Sequence, residues 1–128
     1  MNFFEKSNEI KDYMIDIRRR IHENPELAFD LEDTTNLVKE ELDKLKISYT
    51  SPIENSVLAS LGAGDKTILL RADMDALPIE EENDLDFKSK NQCGHMCGHD
   101  FHTAMLLGTA KILKEIEEDL DGVVKLMF

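Results

Sequence analysis

The ten residues Gly94-His95-Met96-Cys97-Gly98-His99-Asp100-Phe101-His102-Thr103 hold three histidines, a cysteine and an aspartate, and they run directly into the apolar segment Ala104-Met105-Leu106-Leu107-Gly108. No other stretch of the chain concentrates metal-binding side chains this way. The first reading is a metal site at the mouth of a loop-to-helix junction, followed by an apolar helix that packs inward. Cys97 and His99 are separated by one residue, so in extended backbone both project to the same side and reach one ion. A thiolate with an imidazole suits zinc, nickel, cobalt or manganese better than magnesium or calcium, which prefer oxygen. The same residues also admit a plainer reading, in which Cys97 is a small buried apolar residue and Asp100 caps the next helix.

A chain of 128 residues supports one modest core rather than two domains. Its 27 acidic residues outnumber 15 basic ones, for a formal charge of −12. That balance repels nucleic acid and anionic membranes, and excludes both as partners. The runs Glu80-Glu81-Glu82 and Glu117-Glu118-Asp119 read as solvated faces. An N-terminus interrupted by Glu5, Lys6 and Glu9 lacks the apolar core of a secretory signal. A Cys93–Cys97 disulfide would close too small a loop to stabilise much. No apolar run approaches the ~20 residues of a membrane span. The expectation is a soluble, cytoplasmic protein with reduced thiols.

Asn2 followed by Glu5 resembles a capping box, and Ile10, Met14, Ile17 and Ile21 recur at helical spacing, which predicts a first helix ending before Pro25. Arg18-Arg19-Arg20 near its end reads as a solvated helix terminus. A second helix is expected from Asp30 or Asp33 through Leu37, Val38, Leu42 and Leu45. Strand-like runs at 56–61 and 67–72 flank Gly62-Ala63-Gly64-Asp65-Lys66, a hairpin-type connection. Ile68-Leu69-Leu70 is apolar without alternation, as in a strand buried on both faces. Residues 73–100 carry no periodicity, and so long a connection is more often functional than idle. Residues 101–120 predict a long helix, and 123–128 a core strand.

Three segments resemble one family: RRRIHENPELAFDLEDTT (Arg18–Thr35), LRADMDALPIE (Leu70–Glu80) and GHMCGHDFHTAMLLG (Gly94–Gly108). In order and spacing they are similar to the N-terminal third of metal-dependent amidohydrolases that cleave N-acyl amino acids. That group includes hippurate hydrolase, auxin-conjugate hydrolase and N-acetyldiaminopimelate deacetylase, relatives of aminoacylase and the dinuclear zinc carboxypeptidases.

The resemblance implies an α/β fold: an incomplete zinc-peptidase-like catalytic domain, with a mixed sheet flanked by helices. The resemblance also implies that residues 1–128 are the N-terminal part of that domain. It implies two divalent transition-metal ions (Zn, Mn, Ni or Co) in the complete site, with Cys97 and His99 as ligands and the thiolate bridging. Asp73 and Asp75 match the family's Asp-Met-Asp, and Asp75 is the candidate for orienting a ligand; capping a turn before Pro78 is its plainer role. His102 matches a motif histidine that is not a ligand, and is equally a satisfied helix-start histidine. His22 and Glu32 fix the first helices rather than touch substrate, and His95 has no assigned role.

The chain departs from the family at Cys93, where cysteine is unusual, and at Met96, which replaces a small residue. The family's Gln-Pro-x-Glu-Glu segment, with the general-base glutamate and a further ligand, is expected beyond Phe128, as are two more histidine ligands and a smaller lid-like dimerisation domain. The catalytic base is therefore expected outside these residues. The implied activity is metal-dependent hydrolysis of the amide of an N-acyl amino acid, with homodimerisation reserved for the complete protein and this piece inactive alone. The rival readings are a non-catalytic zinc-binding module, in which Cys93, His95, Cys97 and His99 surround one ion, and a module that associates with a separate chain.

Overall fold

The computed structural model describes residues 1–128. The side chain of Asn2 accepts hydrogen bonds from the backbone N–H groups of Phe4 and Glu5, and so starts α1 (Phe3–Glu9). The single helix expected up to Pro25 is two. The chain leaves helical geometry at Ile10 (φ −98°, ψ 11°) before α2 (Lys11–Glu23) begins. Ile17 and Ile21, one turn apart on α2, are buried as their spacing requires.

Helix α3 spans Glu32–Lys44, and no side chain of its own N-cap residue closes its first turn. Glu26 does so from outside, its two carboxylate oxygens accepting from the N–H groups of Asp33 and Thr34 at 3.0 and 2.7 Å. A carboxylate there also complements the helix dipole. Helix α4 (His99–Glu115) follows the histidine-rich loop and is succeeded by a short 3-10 turn, Glu117–Asp119.

The sheet comprises β1 (Tyr49–Thr50), β2 (Leu58–Arg71) and β3 (Asp121–Met127). The two strand-like runs predicted as a hairpin do form, but they do not pair with each other. Along the first arm of β2, Leu58 lies opposite Met127, Leu61 opposite Val124 and Gly62 opposite Val123, so the partner numbers fall. Along the second arm Thr67 lies opposite Val123 and Arg71 opposite Met127, so they rise. β3 therefore lies between the arms, antiparallel to the first and parallel to the second. The reciprocal bonds between Val57 and Phe128, both 2.9 Å, mark the antiparallel side, and Ala72 N–H to Met127 O, also 2.9 Å, marks the parallel one. β1 adds to the outer side of the first arm, antiparallel.

This wrap depends on glycine. The bend of β2 passes over the start of β3, where a Cβ on Gly122 (φ +140°) would lie 2.7 Å from the Lys66 carbonyl oxygen. A Cβ on Gly62 (φ +77°) would lie 2.4 Å from the Gly122 carbonyl oxygen. Any side chain at either position forces the two backbones apart.

One face of the sheet is covered. Val57, Ala59, Leu61, Val124 and Leu126 form a single core with Ile17, Ile21, Val38, Leu42, Ala104, Leu107 and Ala110 from the helices. Full burial of residues such as Leu42 and Leu107 contributes about 1.5–3 kcal/mol each. The expectation of a second arm buried on both faces is not met: Ile68, Leu69 and Leu70 are 58, 51 and 36% exposed. Ile68 and Leu70 pair with the core residues Val124 and Leu126, but the helical layer does not reach this arm. Likewise α4 is not buried all round, since Phe101 and Met105 are exposed. No helix of the structure is long and apolar enough to cross a membrane.

Candidate metal centre and the charged network beside it

The second arm of β2 ends at Arg71, and the next residues, Asp73 and Asp75, emerge where the parallel strands finish, the usual position of ligands in α/β sheets. They meet the start of α4. Donor atoms of Asp73, His99 and His102 all lie within 4.8 Å of one another. His99 and His102 stand three apart on one helical face, with their rings stacked at 5.4 Å between centroids. His102 Nδ1 lies 2.6 Å from Asp73 Oδ1, and His99 Nε2 lies 3.5 Å from Asp73 Oδ2. On the other edge of the His99 ring, Nδ1 lies 2.9 Å from Asp75 Oδ1. Burial alone would raise the Asp73 carboxyl, but the hydrogen bond from His102 and the charge of His99 hold it below its ordinary value.

Two imidazoles and a carboxylate fit a divalent transition metal and not magnesium or calcium. Asp75 faces the nitrogen of His99 that points away from Asp73, which is where a group orienting that ring has to stand. Cys97 is exposed and free, two residues before His99, and lies outside the three-residue cluster. Cys93 is also free, and Cys93, His95, Cys97 and His99 do not converge on one point. The cluster instead brings in Asp73 and His102, the latter set aside as a ligand on the resemblance. Beside Asp73 and Asp75 opens a cavity of ≈ 580 Å³ walled by Phe29, Ile53, Val57 and Phe128.

Behind the cluster lies a second group of charges. Glu81, expected on a solvated face, is buried at 2% exposure. Its Oε1 lies 2.8 Å from His22 Nε2, and its Oε2 accepts from the Ser89 N–H at 2.7 Å. His22 Nδ1 lies 2.7 Å from Asp100 Oδ2, which also accepts from Arg18 Nε at 2.8 Å. Arg18 is thus not part of a solvated helix end. Its guanidinium lies over the Phe101 ring at 4.4 Å and the Phe87 ring at 5.1 Å. Burial alone would raise the Glu81 carboxyl; the Ser89 N–H, His22 and Asn83 together pull it below its ordinary value. His95 is buried with neither ring nitrogen hydrogen-bonded, and burial, reinforced by the positive charges of His22, His99 and Arg18 against the pull of Asp100, lowers it to about 4.

Residues 69–128, from the second arm of β2 through the cluster to the end of β3, match the Peptidase family M20/M25/M40. Over those residues, a little under half of its length, the chain is similar to that family. It is 51% identical over 126 residues to the IAA-amino acid hydrolase ILR1-like 5 of Arabidopsis thaliana, covering 96% of this chain and 29% of that protein. It is 44% identical to the N-acyl-L-amino acid amidohydrolase of Geobacillus stearothermophilus, covering 94% and 34%. Its fold is similar to that of the Bacillus subtilis YXEP protein, described as a dinuclear metal binding peptidase of the M20 family. The TM-score is 0.90 at 37% identity, over 94% of this chain and 35% of the other. The chain thus spans about a third of the length of the relatives it matches. The expected α/β fold with a mixed sheet is accordingly similar to that of a solved M20 peptidase.

Sequence reasoning missed Glu81 and the pairing of His22 with Asp100. The only available signal was an acidic run close to a motif, which carries no information about a partner some sixty residues away. His102 and Asp73 were visible as motif residues, but their 2.6 Å approach depends on how the loop packs on α4.

Proposed function

We propose that this chain is a member of the M20 family and forms part of a metal-dependent site that hydrolyses the amide bond of N-acyl amino acids. The observation that carries the reading is the convergence of Asp73, His99 and His102 at the carboxyl ends of the parallel strands. The names of relatives, a hydrolase of IAA-amino acids and an N-acyl-L-amino acid amidohydrolase, support the substrate class. Cys97 and His99 are the proposed metal ligands, with Asp73 and His102 as further donors and Asp75 as the residue that orients His99. When bound, a divalent ion supplies Lewis acidity toward the amide carbonyl and makes water a better nucleophile at neutral pH. Asp75 holds the proton of His99 on Nδ1 and so leaves the Nε2 lone pair facing the cluster. Asp73 takes its negative charge to the point where His99 and His102 meet, and balances bound positive charge there. The general base is not assigned to a residue of this chain.

The test is metal competition against a chromophoric chelator, with Cys97→Ala, His99→Ala, Asp73→Ala and Cys93→Ala compared. The first three are expected to weaken zinc or manganese binding at least tenfold, and the last to leave it unchanged. Equal losses for Cys93→Ala and Cys97→Ala would favour the structural zinc module instead. For a longer protein that includes this chain, chelator-sensitive release of an amino acid from a benzoyl or acetyl derivative is expected. Chelator-resistant cleavage would rule out the proposed chemistry.

A further inference from the structure

We propose that His22 is a buried imidazolium that latches both ends of the ligand loop to α2, and so positions the His99–His102 turn. Its bearing on metal binding rests on the reading above.

The protonation state follows from the hydrogen-bond inventory. Asp100 Oδ2 accepts from Arg18 Nε, and its other oxygen, Oδ1, accepts from the Phe101 N–H at 2.9 Å. Glu81 likewise accepts on both oxygens, from Ser89 and Asn83 as well as facing His22. Asp100 is ion-paired with Arg18, and Glu81 is held below its ordinary value by its donors, so both stand as carboxylates with no proton to give. A neutral imidazole has one N–H and could satisfy only one of them, leaving its other lone pair against a carboxylate oxygen at 2.7 or 2.8 Å. The Arg18 Nη2 atom also lies 3.2 Å from His22 Nδ1, but the shorter 2.7 Å approach to the fully buried Asp100 decides where the Nδ1 proton points. With His22 doubly protonated, Arg18 and His22 balance Asp100 and Glu81, and no net charge is buried. The remaining titratable neighbour is His95, whose ring is tilted at 6.4 Å between centroids and makes no hydrogen bond to either carboxylate.

The network spans the loop from both sides. Upstream, Glu81 holds the Ser89 N–H, and the Ser89 hydroxyl donates to the Cys93 carbonyl at 2.6 Å, four residues before Cys97. Downstream, Asp100 is the neighbour of His99 in the first turn of α4. α2 therefore grips the loop before Cys97 and after His99 through one imidazole ring, although His22 touches neither the cluster nor Cys97.

The experiment uses the 128-residue chain with ¹⁵N-labelled histidine, free of metal and then titrated with Co²⁺. Both His22 ring nitrogens are expected to show protonated shifts at neutral pH, while His95 shows a neutral tautomer. Glu81→Gln keeps an acceptor but removes a charge, and is expected to convert His22 to a single N–H tautomer. It should speed hydrogen exchange of the first-turn amides of α4 in the metal-free chain and weaken Co²⁺ binding about tenfold. His22→Gln is expected to do the same, and Lys66→Gln, in an exposed ion pair, to do neither. A neutral His22 in the unaltered chain, or unchanged α4 exchange in Glu81→Gln, would overturn the latch. Failure of the unaltered chain to bind Co²⁺ would instead sink the metal reading, with the latch still decided by the His22 shifts and the amide exchange.

Discussion

Replacing Asp75 by alanine tests whether the geometry around His99 is built for a metal. The carboxylate accepts from His99 Nδ1 at 2.9 Å while Nε2 faces Asp73 at 3.5 Å. Without it the ring can adopt two orientations and two tautomers, of which one presents the Nε2 lone pair, a loss of about 0.8 kcal/mol. A charge-assisted hydrogen bond is worth ~1.5–3 kcal/mol when buried. Asp75 has a side chain 41% exposed, so solvent screening reduces this to about 1 kcal/mol. The sum, about 2 kcal/mol, corresponds to roughly a thirtyfold loss of affinity, within the ~10–100-fold range for groups that orient a ligand. Asp75→Asn keeps an acceptor for Nδ1–H and should lose only about threefold. Asp65→Ala, in the exposed bend of β2, should change nothing. Competition with a chromophoric chelator at neutral pH measures all three. Asp75→Ala binding as tightly as the unaltered chain would refute the reasoning, because His99 would then need no partner to present its lone pair.

Gly122→Ala places a methyl group against the Lys66 carbonyl at a backbone angle unsuited to alanine, and should cost about 3 kcal/mol in urea unfolding; an unchanged midpoint would mean that the β2 wrap is loose. His95 titrates near 6.5 when unfolded but only at about 4 when folded, so the unfolded chain binds the extra proton first. Its contribution is therefore complete above pH ~6.5 and falls away by about 3 kcal/mol as the pH drops to ~4. His95→Phe should flatten that part of a Tm-against-pH curve measured without metal. The chain alone is expected to bind metal without turning over N-acyl amino acids, and to self-associate through the open arm at Ile68–Leu70. Light scattering and a turnover assay with added zinc or manganese check this, and a monomer with metal-dependent activity would contradict it.

Local chemistry was legible in the sequence wherever the interacting groups are neighbours in the chain. Asn2 reads as a cap because its oxygen bonds the second and third residues onward, and Ile17 and Ile21 read as core because helical spacing puts them on one face. Cys97 and His99 stood out because their spacing lets both reach one ion, whereas Asp73 and Asp75 were picked out only by resemblance to a family motif. Long-range pairing carries no such local signal. The insertion of β3 between the two arms of β2 joins residues some sixty positions apart, and a Gly-rich bend is equally compatible with a tight hairpin. The exposure of Ile68-Leu69-Leu70 depends on which strands the helices reach, not on the apolar character of the run. Glu81 looks like any solvated acid until the fold buries it against His22, and desolvation then makes that partner obligatory. The sequence by itself singled out the loop whose side chains carry metal-binding chemistry and the cap that starts the first helix. Only the tertiary structure decided which charges lost their water, and with it which had to pair.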